Sequence, residues 1–212
     1  MTWRASLRDA MGRFRRAEDG ASLVEFALVV LLFLFLLFAI IDFGRLANAW
    51  VGANKATQIA ARIAAVRPPA CPGVPAMNTR PATNATDVTF GTLCRFGTGT
   101  CNDPGEFSCT GDAASATAAE IFAATRPLLP PGTEIDNLRF RYTFDQNLGF
   151  LGGPYVPMVT VELEDVDFIF VSQLGQFVRF LTGDNSNLGS DLAIPGMSVS
   201  LPGEDLAQGT GG

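Results

Sequence analysis

Histidine is absent from all 212 residues. Its absence removes the Ser/His/Asp and Cys/His nucleophile systems, which need an imidazole to move a proton at neutral pH. There is also no G-x-S-x-G elbow, no P-loop and no G-x-G-x-x-G opening a helix. The usual frames for an acyl intermediate or a cradled nucleotide are therefore missing, and we read the chain as not an enzyme and expect no cofactor. Cysteine is scarce: Cys71, Cys94, Cys101 and Cys109 stand at spacings x22, x6 and x7, with no C-x-x-C pair. Without that pair or any imidazole the pattern does not suit zinc, so no metal site is expected. Positive charge is scarce in the second part of the chain. After Arg67, six arginines face sixteen carboxylates, a balance of -10, which would repel phosphates and excludes a nucleic-acid partner. Proline does not occur before Pro68.

What is present begins with an apolar run. Residues 21 to 41 carry one charge, Glu25, and at 1.5 Å per residue they give about 30 Å of helix, enough to span a bilayer. Residues 1 to 20 hold Arg4, Arg8, Arg13, Arg15 and Arg16 against Asp9, Glu18 and Asp19, a balance of +2. The positive-inside bias then puts the N-terminus in the cytoplasm and the acidic head across the membrane, in the periplasm if the membrane is a bacterial inner membrane. All four cysteines fall on that oxidising side, where they can form two disulfides in three possible connectivities. Of these we expect Cys71 with Cys94 and Cys101 with Cys109. Ala47-Asn48-Ala49 superficially resembles a signal-peptidase site. It lies beyond Asp42 and Arg45, however, and the apolar run exceeds an h-region of about 7 to 15 residues.

Helical periodicity continues past the membrane segment. Phe43, Leu46, Trp50, Ala53, Thr57, Ala60 and Ala64 recur at intervals of three or four, with Lys55, Gln58 and Arg62 elsewhere around the axis. One helix over residues 21 to 67, about 70 Å long, is expected, its second half covering a narrow apolar stripe with the chain's own head. The Leu- and Phe-rich first half is left to pack against copies of itself or related subunits.

Glu25 is the feature to be explained, since a carboxylate at the mouth of a membrane segment is a functional candidate by default. On one reading it snorkels to the headgroups beside Arg15 and Arg16. On the other, a peptidase cuts between Gly20 and Ala21. The freed α-amine, with an ordinary pKa of about 7.7 to 8.0, is then a cation one helical turn from Glu25. That amine can pair within the chain or with a neighbour's Glu25 and set the register between them.

A basic leader, Gly20 and the run G-A-S-L-V-E-F-A-L-V over residues 20 to 29 resemble the class III signal of type IV pilins, cleaved by a prepilin peptidase after the glycine. The match is more specific to TadE-like pseudopilins of the Tad (tight adherence, Flp-type) pilus system. It rests also on Ile41-Asp42-Phe43-Gly44-Arg45 and on A-T-Q-I-A-A-R-I-A-A over residues 56 to 65. The tail, from Ile194-Pro195-Gly196 to Leu201-Pro202-Gly203-Glu204-Asp205, looks similar to the ends of such proteins. Ala21 stands where other type IV pilins often have Phe. The resemblance implies a pilin-like minor subunit that helps to begin or cap a pilus. Its implied partners are the membrane, the prepilin peptidase, other pilins and pseudopilins, and the inner-membrane assembly platform.

The fold expected is α+β, a long N-terminal membrane-spanning helix followed by a small antiparallel sheet with short helices. Its parts are a leader (1 to 20), the helix (21 to 67), a proline-rich connector (68 to 87) and a head (88 to 212). Within the head we expect a strand over residues 88 to 96 and a helix over 113 to 126 capped by Asp112 and ended by Pro127. Leu138, Phe140, Tyr142 and Phe144 alternate with polar residues as in a half-buried strand. Strands over 156 to 163 and 166 to 172 are expected to form a hairpin around Glu164-Asp165, with Glu162, Glu164, Asp165 and Asp167 as its solvated edges rather than an acid–base site. Leu174, Phe177, Val178 and Leu181 share a helical face, and a last strand lies near residues 193 to 201. Asp184-Asn185-Ser186-Asn187 reads as a polar turn rather than a calcium loop, and the sequon Asn84-Ala85-Thr86 has no force if the chain is bacterial, as the resemblance implies. The competing function is a single-pass envelope sensor or ligand-binding protein that keeps its leader.

Overall fold

The computed structural model describes residues 20–82, 88–97, 99–170, 191–204 and 206. The expected helix at Leu174, Phe177, Val178 and Leu181, the polar turn at 184–187 and the sequon at 84–86 lie outside the described residues. The order of elements is α1 (Ala21–Val66), β1 (Phe107–Thr110), α2 (Ala116–Thr125), β2 (Leu138–Thr143), β3 (Met158–Leu163), β4 (Asp167–Ile169), β5 (Asp191–Ala193) and β6 (Met197–Pro202), with short 3-10 turns between them. This is the α+β arrangement of a long apolar helix followed by a small antiparallel sheet with short helices.

The described chain forms two compact units, which divide α1 between Arg45 and Leu46. In the first, residues 22 to 41 of α1 are almost wholly apolar and exposed: Leu23, Phe26 and Leu32 are 71%, 66% and 69% accessible. At the end of this stretch Asp42 is buried and pairs with Arg45, 3.2 Å away on the next turn.

The second unit is built on a four-stranded antiparallel sheet in the order β1-β2-β3-β6. Period-2 alternation in β2 and β3 puts Leu138, Phe140, Tyr142, Val159, Val161 and Leu163 on one buried face. Each of these large side chains contributes about 2 kcal/mol by leaving water. The opposite face is polar. Arg141 lies 3.3 Å from Glu162 and 3.7 Å from Glu106, Arg139 lies 3.2 Å from Glu164, and the Thr160 and Ser200 hydroxyls are 2.7 Å apart. β4 and β5 form a separate two-stranded ribbon.

The second half of α1 carries the stripe read from its sequence: Ala53, Thr57, Ala60 and Ala64 are buried together with Ala56, Ala61 and Ala65, while Lys55, Gln58 and Arg62 are exposed. Phe43 and Trp50, also expected on the stripe, are exposed instead, at 63% and 52%. Small residues allow the helix to lie close to its neighbours. Gly52 sits so near the Leu128 carbonyl that a β-carbon there would overlap it. Glu204 N–H donates to the Ala65 carbonyl, and Arg67 makes a 2.8 Å ion pair with Glu120 of α2. α1 ends where Pro68 and Pro69 remove the donors a further turn would need. The following backbone is held by Thr117, whose hydroxyl donates to the Pro68 carbonyl, and by Tyr142, whose hydroxyl accepts from Ala70 N–H at 2.9 Å.

Several expected elements take another form. Residues 88 to 96 are not a strand. Gly91, at φ +89, turns the chain, Leu93 makes an isolated bridge to Phe150, and Cys94–Phe96 is a 3-10 turn. The cap of α2 is Ser115, whose hydroxyl accepts from Ala118 N–H; the Asp112 carboxylate accepts instead from Ala114 N–H, in the turn before the helix. No hairpin joins β3 to β4. Asp165 adopts φ +54 and its carbonyl accepts from the Asn137 amide, so the chain leaves the first sheet there. Glu162 and Glu164 are consequently ion-paired with β2 rather than lying on the edges of a hairpin, whereas Asp165 and Asp167 are exposed. The final strand is divided by Pro195 and Gly196 into β5 and β6.

Tyr142 and Tyr155, the chain's two tyrosines, are both buried, and burial raises both phenols above the ordinary 10.0. Tyr155 is pushed up to about 12, with the nearby Asp103 charge adding to the effect of burial. The fold therefore favours the neutral phenol. This contribution is whole below pH 10 and is lost as pH rises through about 12. Ultraviolet titration of the folded chain should show no tyrosinate step near the ordinary value, and resistance to denaturant should decline in that alkaline window. The Tyr155 hydroxyl has no hydrogen-bond partner among the described residues, so Tyr155→Phe should leave stability nearly unchanged in denaturant unfolding. Tyr142→Phe strands the Ala70 N–H and should cost about 1 kcal/mol.

Candidate functional site

The candidate site is the start of α1. Gly20 is exposed and stands immediately before the helix, with no atom within 4 Å of the place a β-carbon would take. Ala21 opens the helix and Glu25 lies four residues on, exposed. A spacing of four puts two positions on the same face of a helix, about 6 Å apart along the axis. The backbone nitrogen of Ala21 and the Glu25 side chain therefore share one side of the first turn. Glu25 makes no ion pair among the described residues, and the first turn before it contains no acidic side chain.

Beyond Glu25 the exposed apolar surface continues without a charge to Ile41. Each Leu or Phe left in water forgoes about 2 kcal/mol of burial, so this surface is suited to lipid or to other apolar helices. The helix is long and apolar enough to cross a membrane, consistent with a single-pass anchor. The Asp42–Arg45 pair at its far end was not singled out as a pair in the sequence, although an acid three residues before a base on a helix is the usual signal for one.

The four cysteines form two disulfides, Cys71–Cys109 and Cys94–Cys101, rather than the expected Cys71–Cys94 and Cys101–Cys109. The tertiary reason is visible around Cys71. Ala70 is bound by the Tyr142 hydroxyl, Cys71 Sγ lies 3.6 Å from the Phe140 carbonyl oxygen, and Phe140 is the ladder partner of Cys109. Cys94 and Cys101 are brought together by a tight turn in which Thr100 N–H donates to the Gly97 carbonyl. They are buried with Leu151 in a small cluster of their own.

A family model described as TadE-like protein matches residues 20–62, from the glycine before the helix to near its C-terminal end. The match is consistent with a TadE-like protein of Tad pilus systems, a family of structural pilus components. That family is associated with a pilus system and a membrane. No curated protein and no solved structure matches the chain.

Non-reducing peptide mapping should recover Cys71 linked to Cys109 and Cys94 linked to Cys101. The closed loops differ in length, with sequence separations of 38 and 7. Loop-closure entropy then predicts that replacing Cys71 and Cys109 by Ala costs about 1.5 kcal/mol more than replacing Cys94 and Cys101, as measured by denaturant unfolding.

Proposed function

We propose, from the TadE-like character of residues 20–62, that this chain is a minor pilin-like subunit taking part in the initiation or assembly of a Tad-type pilus. A prepilin peptidase removes residues 1 to 20 by cutting after Gly20. Residues 21 to 41 span the inner membrane, and the disulfide-bearing head faces the periplasm. The observation that carries this reading is one juxtaposition. An exposed glycine stands at the mouth of an uncovered apolar helix, and Glu25 lies one turn inside it without a partner among the described residues.

The chemistry follows from that spacing. Cleavage converts the Ala21 amide into an amine that is mostly protonated at neutral pH, given an ordinary pKa of about 7.7 to 8.0. The new cation and Glu25 can then neutralise one another, within a chain or between neighbouring helices, and remove the cost of an isolated carboxylate in lipid, up to about 3 kcal/mol near a bilayer centre. Between chains, the same pair fixes the axial offset of one apolar helix against the next. The remaining contact between helices comes from the Leu and Phe side chains, which specify proximity but not register.

Sequencing the N-terminus of the membrane-extracted protein should find Ala21 as the first residue; an intact Met1 would instead leave a plain tether. Gly20→Leu should abolish this cleavage. Glu25→Leu should leave insertion intact yet reduce recovery of the subunit in pili or assembly complexes by about tenfold, the effect of one lost charge pair of about 1.4 kcal/mol in a low-dielectric setting. Wild-type recovery of Glu25→Leu would remove the salt bridge from the mechanism.

A further inference from the structure

The head carries an exposed aromatic surface that the reading above does not use. Phe90 and Phe96 are 75% and 78% accessible, and Leu93 and Phe150, which face each other across an isolated bridge, are also exposed. These are not stray side chains on a loose loop. Gly91 N–H donates to the Leu151 carbonyl, Leu151 N–H to Thr92 and Cys94 N–H to Gly149, and the Cys94–Cys101 bridge closes the turn beneath. The rings of Phe90 and Phe150 lie directly on Gly152 and Gly153, where any β-carbon would strike them. A pre-ordered apolar surface of this kind loses little conformational freedom on binding.

Its charge is opposite to that of the rest of the head. The Arg80 guanidinium stands 5.4 Å over the Phe90 ring, and Arg95 is exposed between Leu93 and Phe96. Of the six head arginines, Arg139 and Arg141 are engaged by carboxylates of their own sheet. At a balance of -10 the head's own surface is rich in the complementary charge. The turn after β3 combines that charge with an exposed apolar side chain in a fixed backbone. Asp165, held at φ +54 with its carbonyl bonded to Asn137, leads into β4, where Asp167 and Ile169 are both exposed, Ile169 at 60%.

We infer that the head binds a second copy of this chain, the Arg95–Phe96 turn of one copy seating on the Asp165–Asp167–Ile169 turn of the next. The two surfaces differ, so the contact is heterologous. Each copy that uses its aromatic turn still offers its acidic turn, and copies can add in one direction. The inference rests on the proposed function only in requiring several copies in one membrane; it needs neither leader cleavage nor Glu25.

The test uses the full chain in phosphatidylcholine vesicles, several copies to each, with photoreactive benzoylphenylalanine in place of Phe96. Irradiation and mass spectrometry should give a chain-to-chain adduct on the second copy's peptide containing residues 165 to 169. Arg95→Glu, or Asp165→Lys with Asp167→Lys, should lower the yield roughly fivefold, the effect of losing one or two exposed ion pairs. Mixing Arg95→Glu chains that carry the photoreactive group with chains of the double lysine variant should restore it. Overturning results are the absence of a chain-to-chain adduct, an adduct to lipid alone, an adduct elsewhere on the second copy, or a yield indifferent to both reversals. Because Arg95, Asp165 and Asp167 are exposed, the substitutions spare the core, and an unchanged disulfide map verifies folding. Adducts in vesicles would keep this inference even if the protein extracted from its own membrane retained Met1 and so ended the proposed processing; Ala21 as the N-terminus of the extracted protein with no adduct in vesicles would do the reverse.

Discussion

The exposed apolar surface on the first half of α1 is the constraint from which the rest of the molecule follows. From Leu23 to Ile41 most Leu, Phe, Ile and Val side chains of the first helix are exposed, with Val30 and Phe35 partly covered. Such a surface is unstable in water by tens of kcal/mol when summed at about 2 kcal/mol for each large side chain. That segment is therefore suited to lipid or to other apolar helices. Glu25 is the one charged group in that segment, and the pairing proposed above would offset its cost.

The second half of the same helix solves the opposite problem with opposite residues. Where the first half has large, mostly exposed side chains, the alanines and the threonine among residues 53 to 65 are all buried. Thr57 satisfies its hydroxyl on the Ala53 carbonyl, so even the polar member of the stripe imposes no unpaired group. Small side chains provide close approach rather than area, and the approach is consolidated by directional links: Arg67 to Glu120, Thr117 to Pro68, Ala65 to Glu204. One continuous secondary structure thus changes its partner midway by changing side-chain volume.

Much of this could be read from the residues because it is periodic. The helix, its stripe and strands β2 and β3 follow from spacings of 3.6 and 2, and the end of α1 follows from Pro68. What escaped was set by contacts between distant segments. Asp165 at positive φ carries no sequence signal like that of glycine, so the turn looked like a hairpin rather than an exit from the sheet. The disulfide pairing depends on Tyr142 and Phe140 holding the chain at Ala70 beside β1, more than thirty residues from Cys109 in sequence. The extended look of residues 88 to 96 came from Val, Phe and Leu, but Gly91 and the short Cys94–Cys101 loop decide otherwise. For the candidate site, Gly20 and Glu25 were legible by type and spacing, whereas the aromatic turn around Phe96 was not, because exposure is a property of the folded chain.

The Cys71–Cys109 bridge also has a mechanical meaning. Cys71 lies five residues after the last residue of α1, and Cys109 lies in the edge strand of the main sheet. Tension applied along the helix reaches the sheet through a covalent sulfur link, while residues 72 to 108 are enclosed as a closed loop carrying none of the load. Such a domain transmits force from its stalk without unravelling the segment that bears its most exposed aromatic rings.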